Sequence, residues 1–303
     1  MTSLLHLFEN NLLPVFLAAG SGYLLGQWLD IDSQSISRVV FYLFSPCLVF
    51  KLLTNNELAS SDIFHMAGFA IVNMVLLGAI VYALGRLWRL ERRLLVAMVL
   101  TSTLTNAGNF GLSVNLFAFG EDALAHASLY FVTSAIMVYS AGVVVASLGR
   151  ASLRDSLLSL LKVPAVYGLI LAMLFIQLDW KLPLFLERTV SVLSEAAIPG
   201  MLVLLGLQLR QVRWTNRLGL LSITNIFRLV IGPALAFFCS WVFHLQGSAR
   251  QAGIMEASMP TAVMTTVLAT EFDIEPSFVT SVVFTTTLLS PLTLTPLMAL
   301  LGG

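Results

Sequence analysis

Residues Thr105–Leu112 read TNAGNFGL, two asparagines and two glycines within eight positions. Asn106 and Asn109 each offer a carboxamide, which donates and accepts hydrogen bonds but does not titrate. Gly108 and Gly111 admit backbone geometry that other residues resist. A second stretch, Ala257–Val263 (ASMPTAV), sets Ser258, Met259, Pro260 and Thr261 in an apolar run. Ser258 is placed to cap a helix that follows it. Pro260 suits the first turn of that helix, where a missing N–H costs nothing. Three ionisable residues stand in apolar surroundings: Glu256, four residues before Pro260; Glu195, four before Pro199; and Arg228. Such groups suit the binding of a polar solute. Catalysis would need a nucleophile with its base, or a metal cluster. The four scattered histidines and two cysteines supply neither, and Cys47 and Cys239 read as small buried hydrophobes.

The surroundings make these polar stretches costly. Of the 303 residues, 58% are hydrophobic and 11% are charged, with a mean hydropathy of +0.90. A soluble domain runs near 25% charged, so the bilayer must be the solvent for this chain. Leu94–Phe119 is apolar over a length that exceeds the roughly 20 residues a crossing needs. Hydrocarbon cannot satisfy the backbone groups freed where such a helix breaks. A break therefore survives only inside protein or beside a watery cavity. The formal charge of zero gives no electrostatic support for a nucleic-acid partner. No soluble domain is expected, and the N-terminal apolar run reads as a retained span.

Ten apolar segments are expected to span: Asn11–Leu29, Ile36–Leu53, Ile63–Leu87, Leu94–Phe119, Ala123–Leu148, Val163–Leu178, Leu184–Leu209, Leu218–Leu245, Ala252–Thr270 and Ser277–Leu301. Eleven Lys and Arg residues, among them Arg38, Arg86, Arg150, Arg154, Lys162 and Arg213, fall on one side. Four (Lys51, Lys181, Arg188 and Arg250) fall on the other, and Arg228 lies within a span. The positive-inside rule puts the eleven in the cytoplasm and both termini outside the cytoplasmic (inner) membrane.

Features recur at about half the chain length. Pro14 and Pro164 open the first and sixth spans, and Pro46 and Pro199 are expected to break the second and seventh. The broken fourth span has its counterpart in the ninth, and FVTS occurs at Phe131–Ser134 and Phe278–Ser281. Residues 1–150 and 151–303 thus read as two five-helix repeats, inverted because an odd number of crossings flips the second copy. Inverted repeats with paired broken helices are a layout of secondary transporters, with the site near the midplane. Half-helix N-termini carry roughly half a positive charge and free N–H donors, which suits a carboxylate. Glu256 is a candidate proton-coupling carboxylate. Alternatively, Arg228 neutralises one of the glutamates as a buried structural pair.

These residues resemble the auxin efflux carrier family over essentially the whole chain. The likeness rests on TNAGNFGLS, LKVPAVYGLILAML, EAAIPGMLVLLGLQL and MEASMPTAVMTTVLATEF. The resemblance implies ten helices in two inverted repeats, broken helices 4 and 9 crossing, and organic-anion substrates: malonate or malate in bacterial members, indole-3-acetate in plant ones. It maps the polar crossover onto Asn106, Asn109 and Ser258–Thr261. Gly108 and Gly111 stand where plant members often have proline, and the short connection Gly149–Lys162 replaces their long loop. Both departures point to a compact prokaryotic type, for which auxin is a poor expectation. The expected partners are a small organic anion and the lipid bilayer, with a homodimer left open. No cofactor is expected, although a proton or a sodium ion could couple transport. A sodium-coupled carrier like the bile acid symporters is the alternative, with a channel behind it.

Overall fold

The computed structural model describes residues 4–55, 60–147 and 163–302. Arg150, Arg154, Lys162 and the 149–162 connection lie outside the described residues. Among those described there is no β-strand, and the chain runs as helices joined by short turns. They are α1 (Leu13–Trp28), α2 (Ser33–Asn55), α3 (Ser60–Leu87), α4 (Arg92–Thr103), α5 (Ala107–Ala146), α6 (Pro164–Gln177), α7 (Leu184–Leu209), α8 (Leu218–Val242), α9 (Gly247–Ser258), α10 (Met264–Glu271) and α11 (Pro276–Leu301). Leu4–Leu7 and a wide turn at Phe8–Leu12 lead into α1. Six of these helices (α2, α3, α5, α7, α8 and α11) are long and apolar enough to cross a membrane. Exposed Leu17, Phe64, Trp180, Trp241 and Leu292 fit an outer surface that meets lipid. The molecule is an all-helical, multi-pass membrane protein.

Each expected apolar segment falls on helix, but the punctuation differs from expectation. Within α5, Gly120 has φ 82° and ψ −168°, so α5 is two helices meeting at a glycine. That backbone region is open to glycine and strained for other residues. Pro46 does not break α2. The chain instead widens to i→i+5 hydrogen bonding over Val40–Phe44, just before the proline. The same arrangement precedes Pro14 (Phe8–Leu12) and Pro233 (Phe227–Ile231). A proline has no N–H, and its ring crowds the carbonyl four residues back. A wide turn absorbs both defects without ending the helix. In α7 the interruption is a single turn residue, Ala196, three residues ahead of Pro199.

Small residues bring the helix pairs together. A Cβ at Gly206 of α7 would lie 1.8 Å from the Ala19 carbonyl oxygen of α1, and one at Gly22 would lie 2.2 Å from that of Val203. In the α6–α2 pair, a Cβ at Gly168 would come within 2.5 Å of the Pro46 carbonyl oxygen. Within a bilayer such backbone contact drives helix association, because lipid tails are as apolar as leucine.

Candidate functional site: two broken helices and the cavity between them

The helical path stops after Thr103 and again after Ser258, and the two gaps meet. Thr105 and Thr261 form an isolated antiparallel bridge. The Asn106 N–H donates to the Pro260 carbonyl at 2.8 Å, and the Ala262 N–H donates to the Leu104 carbonyl at 2.9 Å. Backbone groups that lipid could not satisfy are thus satisfied by the other break. Thr261 is tied further: its N–H donates to Thr286 Oγ1 on α11 at 3.2 Å, and its hydroxyl to the Thr101 carbonyl of α4 at 2.7 Å.

Arg228 closes the crossing from behind. The wide turn in α8 carries it, and its side chain is fully buried. Its guanidinium donates to the Ser102 carbonyl at 2.7 Å, to the Thr103 carbonyl at 3.3 Å and to the Ala257 carbonyl. Those carbonyls end α4 and α9. Each helix C-terminus carries about half a negative charge, so together the two ends balance about one cation. The expected pairing of Arg228 with a glutamate is not what the structure shows. Glu195 lies exposed, bonded to Lys51 at 3.1 Å and Ser191 at 3.0 Å. Glu256 accepts from Asn115 Nδ2 at 3.0 Å.

On the opposite side of the bridge a cavity of about 260 Å³ opens. The starts of α5 and α10 line it through Asn106–Asn109 and Ala262–Met264, so the N-terminal ends of two half-helices border one space. Asn109 Nδ2 meets Gln208 Oε1 of α7 at 3.4 Å. Asn109 Oδ1 and Asn106 Nδ2, both buried, have no protein partner. Ser134, Ser37 and Gln34 add polar edges, and Phe41, Tyr42, Phe131 and Val138 line the apolar wall. Arg38 is the one charged residue in this lining, and it makes no ion pair within 4.0 Å among the described residues. Neutral donors, two positive helix ends and one arginine make a space that favours an anion.

Of the residues expected to bind, Asn106, Gly108 and Asn109 line this cavity. Gly111, Ser258, Met259, Pro260 and Thr261 do not; all are buried in the crossing itself. Ser258 does not cap the following half-helix, because its hydroxyl turns back to the Ile254 carbonyl at 2.6 Å within α9. α10 begins only at Met264, so Pro260 serves through its carbonyl and not as an opening residue. Pro46 and Pro199 lie outside the cavity lining. Sequence reading overlooked Arg38, counted only for topology, together with Gln208, Ser134 and Asn115. Asn115 was detectable, since it stands four residues from Gly111 on one helical face.

The sequence model of the membrane transport protein family matches residues 7–147 and 147–298. An uncharacterized transporter of Methanocaldococcus jannaschii is 28% identical over 268 residues, covering 85% of this chain and 86% of that one. One from Methanothermobacter thermautotrophicus is 27% identical over 285 residues, 92% and 94% of the two chains. Auxin efflux carrier component 8 of Arabidopsis thaliana is 28% identical over 130 residues, 42% of this chain and 35% of its own. With the family matched across nearly its whole length, this chain belongs to the membrane transport protein family, to which the auxin efflux carriers are related.

Proposed function

We propose that this protein is a secondary carrier that moves a small organic carboxylate anion across the cytoplasmic membrane by alternating access. The observation that carries the reading is that two half-helix N-termini, with the unpartnered amide atoms of Asn106 and Asn109, border one cavity. The substrate carboxylate accepts hydrogen bonds from Asn106 Nδ2 and from the second N–H of Asn109 Nδ2, whose other N–H meets Gln208, and Arg38 attracts it at the mouth.

Ten crossings in two inverted five-helix repeats, residues 1–150 and 151–303, account for the packing. Exchanging the halves turns the α1–α7 pair into the α6–α2 pair and one break into the other. The cavity is lined from the early part of α2, the late part of α5, the start of α6 and the end of α7. No described residue near Lys51, Gly120, Asp179 or His244, at the opposite ends, reaches it. The lined ends belong to the face rich in arginine, the cytoplasmic one by the positive-inside rule, with both termini outside. The site is therefore open to the cytoplasm and closed by the crossing on the far side.

Purified protein should gain thermal stability from malonate or malate more than from indole-3-acetate, since a ligand that binds only the folded state stabilises it by mass action. In proteoliposomes, preloading with the stabilising carboxylate should accelerate uptake of the same labelled compound. Flux that neither saturates nor responds to preloading would mark a channel and overturn the carrier reading.

A further inference from the structure

Outside the cavity lining lies a fully buried carboxyl, that of Glu256, which the anion site does not use. Glu256 is the last acidic residue of α9, one turn before the break, and none of its surface reaches solvent. Its Oε1 accepts from Asn115 Nδ2, which also donates to the Gly111 carbonyl at 2.9 Å. One oxygen on each side chain of this bonded pair is left over: Glu256 Oε2 and Asn115 Oδ1, both buried and both without a partner. Both are acceptors while the carboxyl is ionised, so neither can satisfy the other. A single proton changes that. Carried on Oε2, it makes an O–H that donates to Asn115 Oδ1, and the acid and the amide close a ring of two hydrogen bonds.

Every helix packed against this carboxyl leaves it without a counter-charge. On α8 the ionisable groups are the Cys239 thiol and Arg228, whose terminal nitrogens donate to the carbonyls of Ser102, Thr103 and Ala257 while its Nε is buried without a partner. No ion pair within 4.0 Å joins Arg228 to Glu256. On α5 the nearest is Tyr130, whose hydroxyl is also unpartnered. α11 carries no ionisable side chain, and on α3 the buried polar group is the amide of Asn73. An ionised carboxylate would stand here fully buried without an ion-pair partner, which is costly.

We propose that Glu256 and Asn115 form the proton-binding site of this carrier, loaded from water and closed as an acid–amide ring. This rests on the carrier reading above and assigns its coupling ion. The carboxylate takes one proton from the aqueous phase and its charge goes from minus one to zero. The link to the substrate is short. A Cβ at Gly111 would lie 2.2 Å from Glu256 Oε2, so the carboxyl rests directly on the first turn of α5. Asn109, two residues earlier on that turn, lines the anion cavity. Losing the proton leaves a bare charge against the backbone that shapes the anion site, so the proton and the anion favour the same arrangement. One proton carried with each substrate offsets one unit of the anion's charge as it crosses.

Infrared difference spectra of the full-length protein test this directly. The wild type at neutral pH should show a protonated-carboxyl stretch that disappears in Glu256→Gln and shifts in Asn115→Leu as the ring opens. Replacing choline with sodium should leave both the band and the thermal midpoint unchanged. A missing band, with sodium raising the thermal midpoint of the wild type, would overturn the proposal in favour of a cation site. Should Glu256→Gln fail to fold, the wild-type band, its Asn115→Leu shift and the sodium titration decide the matter alone. In proteoliposomes, an inward proton gradient should stimulate malonate uptake by the wild type, and that stimulation should be lost in Glu256→Gln. If no carboxylate is taken up by the wild type, the carrier reading fails, while the infrared result still decides the proton site.

Discussion

At 104–106 the chain leaves the Thr105 hydroxyl and the Asn106 amide nitrogen unpartnered, and Asn109 Oδ1 is unpartnered one turn later. At 259–263 the backbone is as irregular, yet both the hydroxyl and the N–H of Thr261 are bonded to neighbouring helices. The two breaks share one bridge and supply each other's backbone partners. They differ in what their side chains have left to offer. Both border the cavity, the second through apolar Ala262 and Val263, but only the first brings unspent side-chain donors and acceptors to it, which is what binding requires. The second uses its polar groups to brace α4 and α11, which is what a pivot requires. Where two broken helices cross, one can be given to a ligand while the other holds the frame.

The comparison can be broken most severely at Arg228, which serves both breaks. Arg228→Leu should lower stability the most of any change here, because three buried carbonyls lose a donor, at about 1–3 kcal/mol for each left unsatisfied. Arg228→Lys should recover only part of it, since an ammonium lacks the fork that reaches two helix ends. Normal thermal stability of Arg228→Leu would refute the bracing role. Next in size is Asn109→Ala, expected to weaken carboxylate binding about 10- to 100-fold with an unchanged thermal midpoint, given about 1.5–3 kcal/mol for a hydrogen bond to a charged group. Thr261→Val should do the reverse, lowering stability by about 1–3 kcal/mol through the unpaired Thr101 carbonyl while sparing affinity. Equal losses of affinity in these two variants would erase the distinction between the breaks.

The smallest effect is expected at the start of α2. Asp32 caps that helix by accepting from the N–H groups of Gln34 and Ser35 and from the Ser35 hydroxyl. The Ser35 hydroxyl and the Gln34 N–H hold its carboxyl below the ordinary value of 3.8. The folded form is therefore favoured at any pH above that ordinary value, and the gain is lost as pH falls through the depressed one. Circular dichroism of wild type and Asp32→Ala should converge in strong acid and differ slightly at neutral pH.

Much of this was legible in the residues. The apolar runs located helix throughout, and TNAGNFGL and ASMPTAV marked both breaks, because polar and glycine-rich backbone inside a lipid-spanning run has no other economical explanation. What stayed hidden was partnership. No pattern along the chain says that Thr261 is consumed by Thr101 and Thr286, or that Arg228 finds carbonyls instead of a carboxylate. Pro46 looked like a break because the rule for a proline in a helix leaves out the wide turn that precedes it. Arg38 and Gln208 were invisible as site residues, since each stands near the end of a helix and only the packing of α2 and α7 brings them to one cavity.

The most direct test of the account is carboxylate affinity measured side by side on wild type, Asn109→Ala and Thr261→Val by calorimetric titration. We expect Thr261→Val to bind like the wild type despite its lower thermal midpoint, and Asn109→Ala to bind at least about tenfold more weakly at full stability. Wild-type affinity in Asn109→Ala would contradict the assignment of the first break as the anion site.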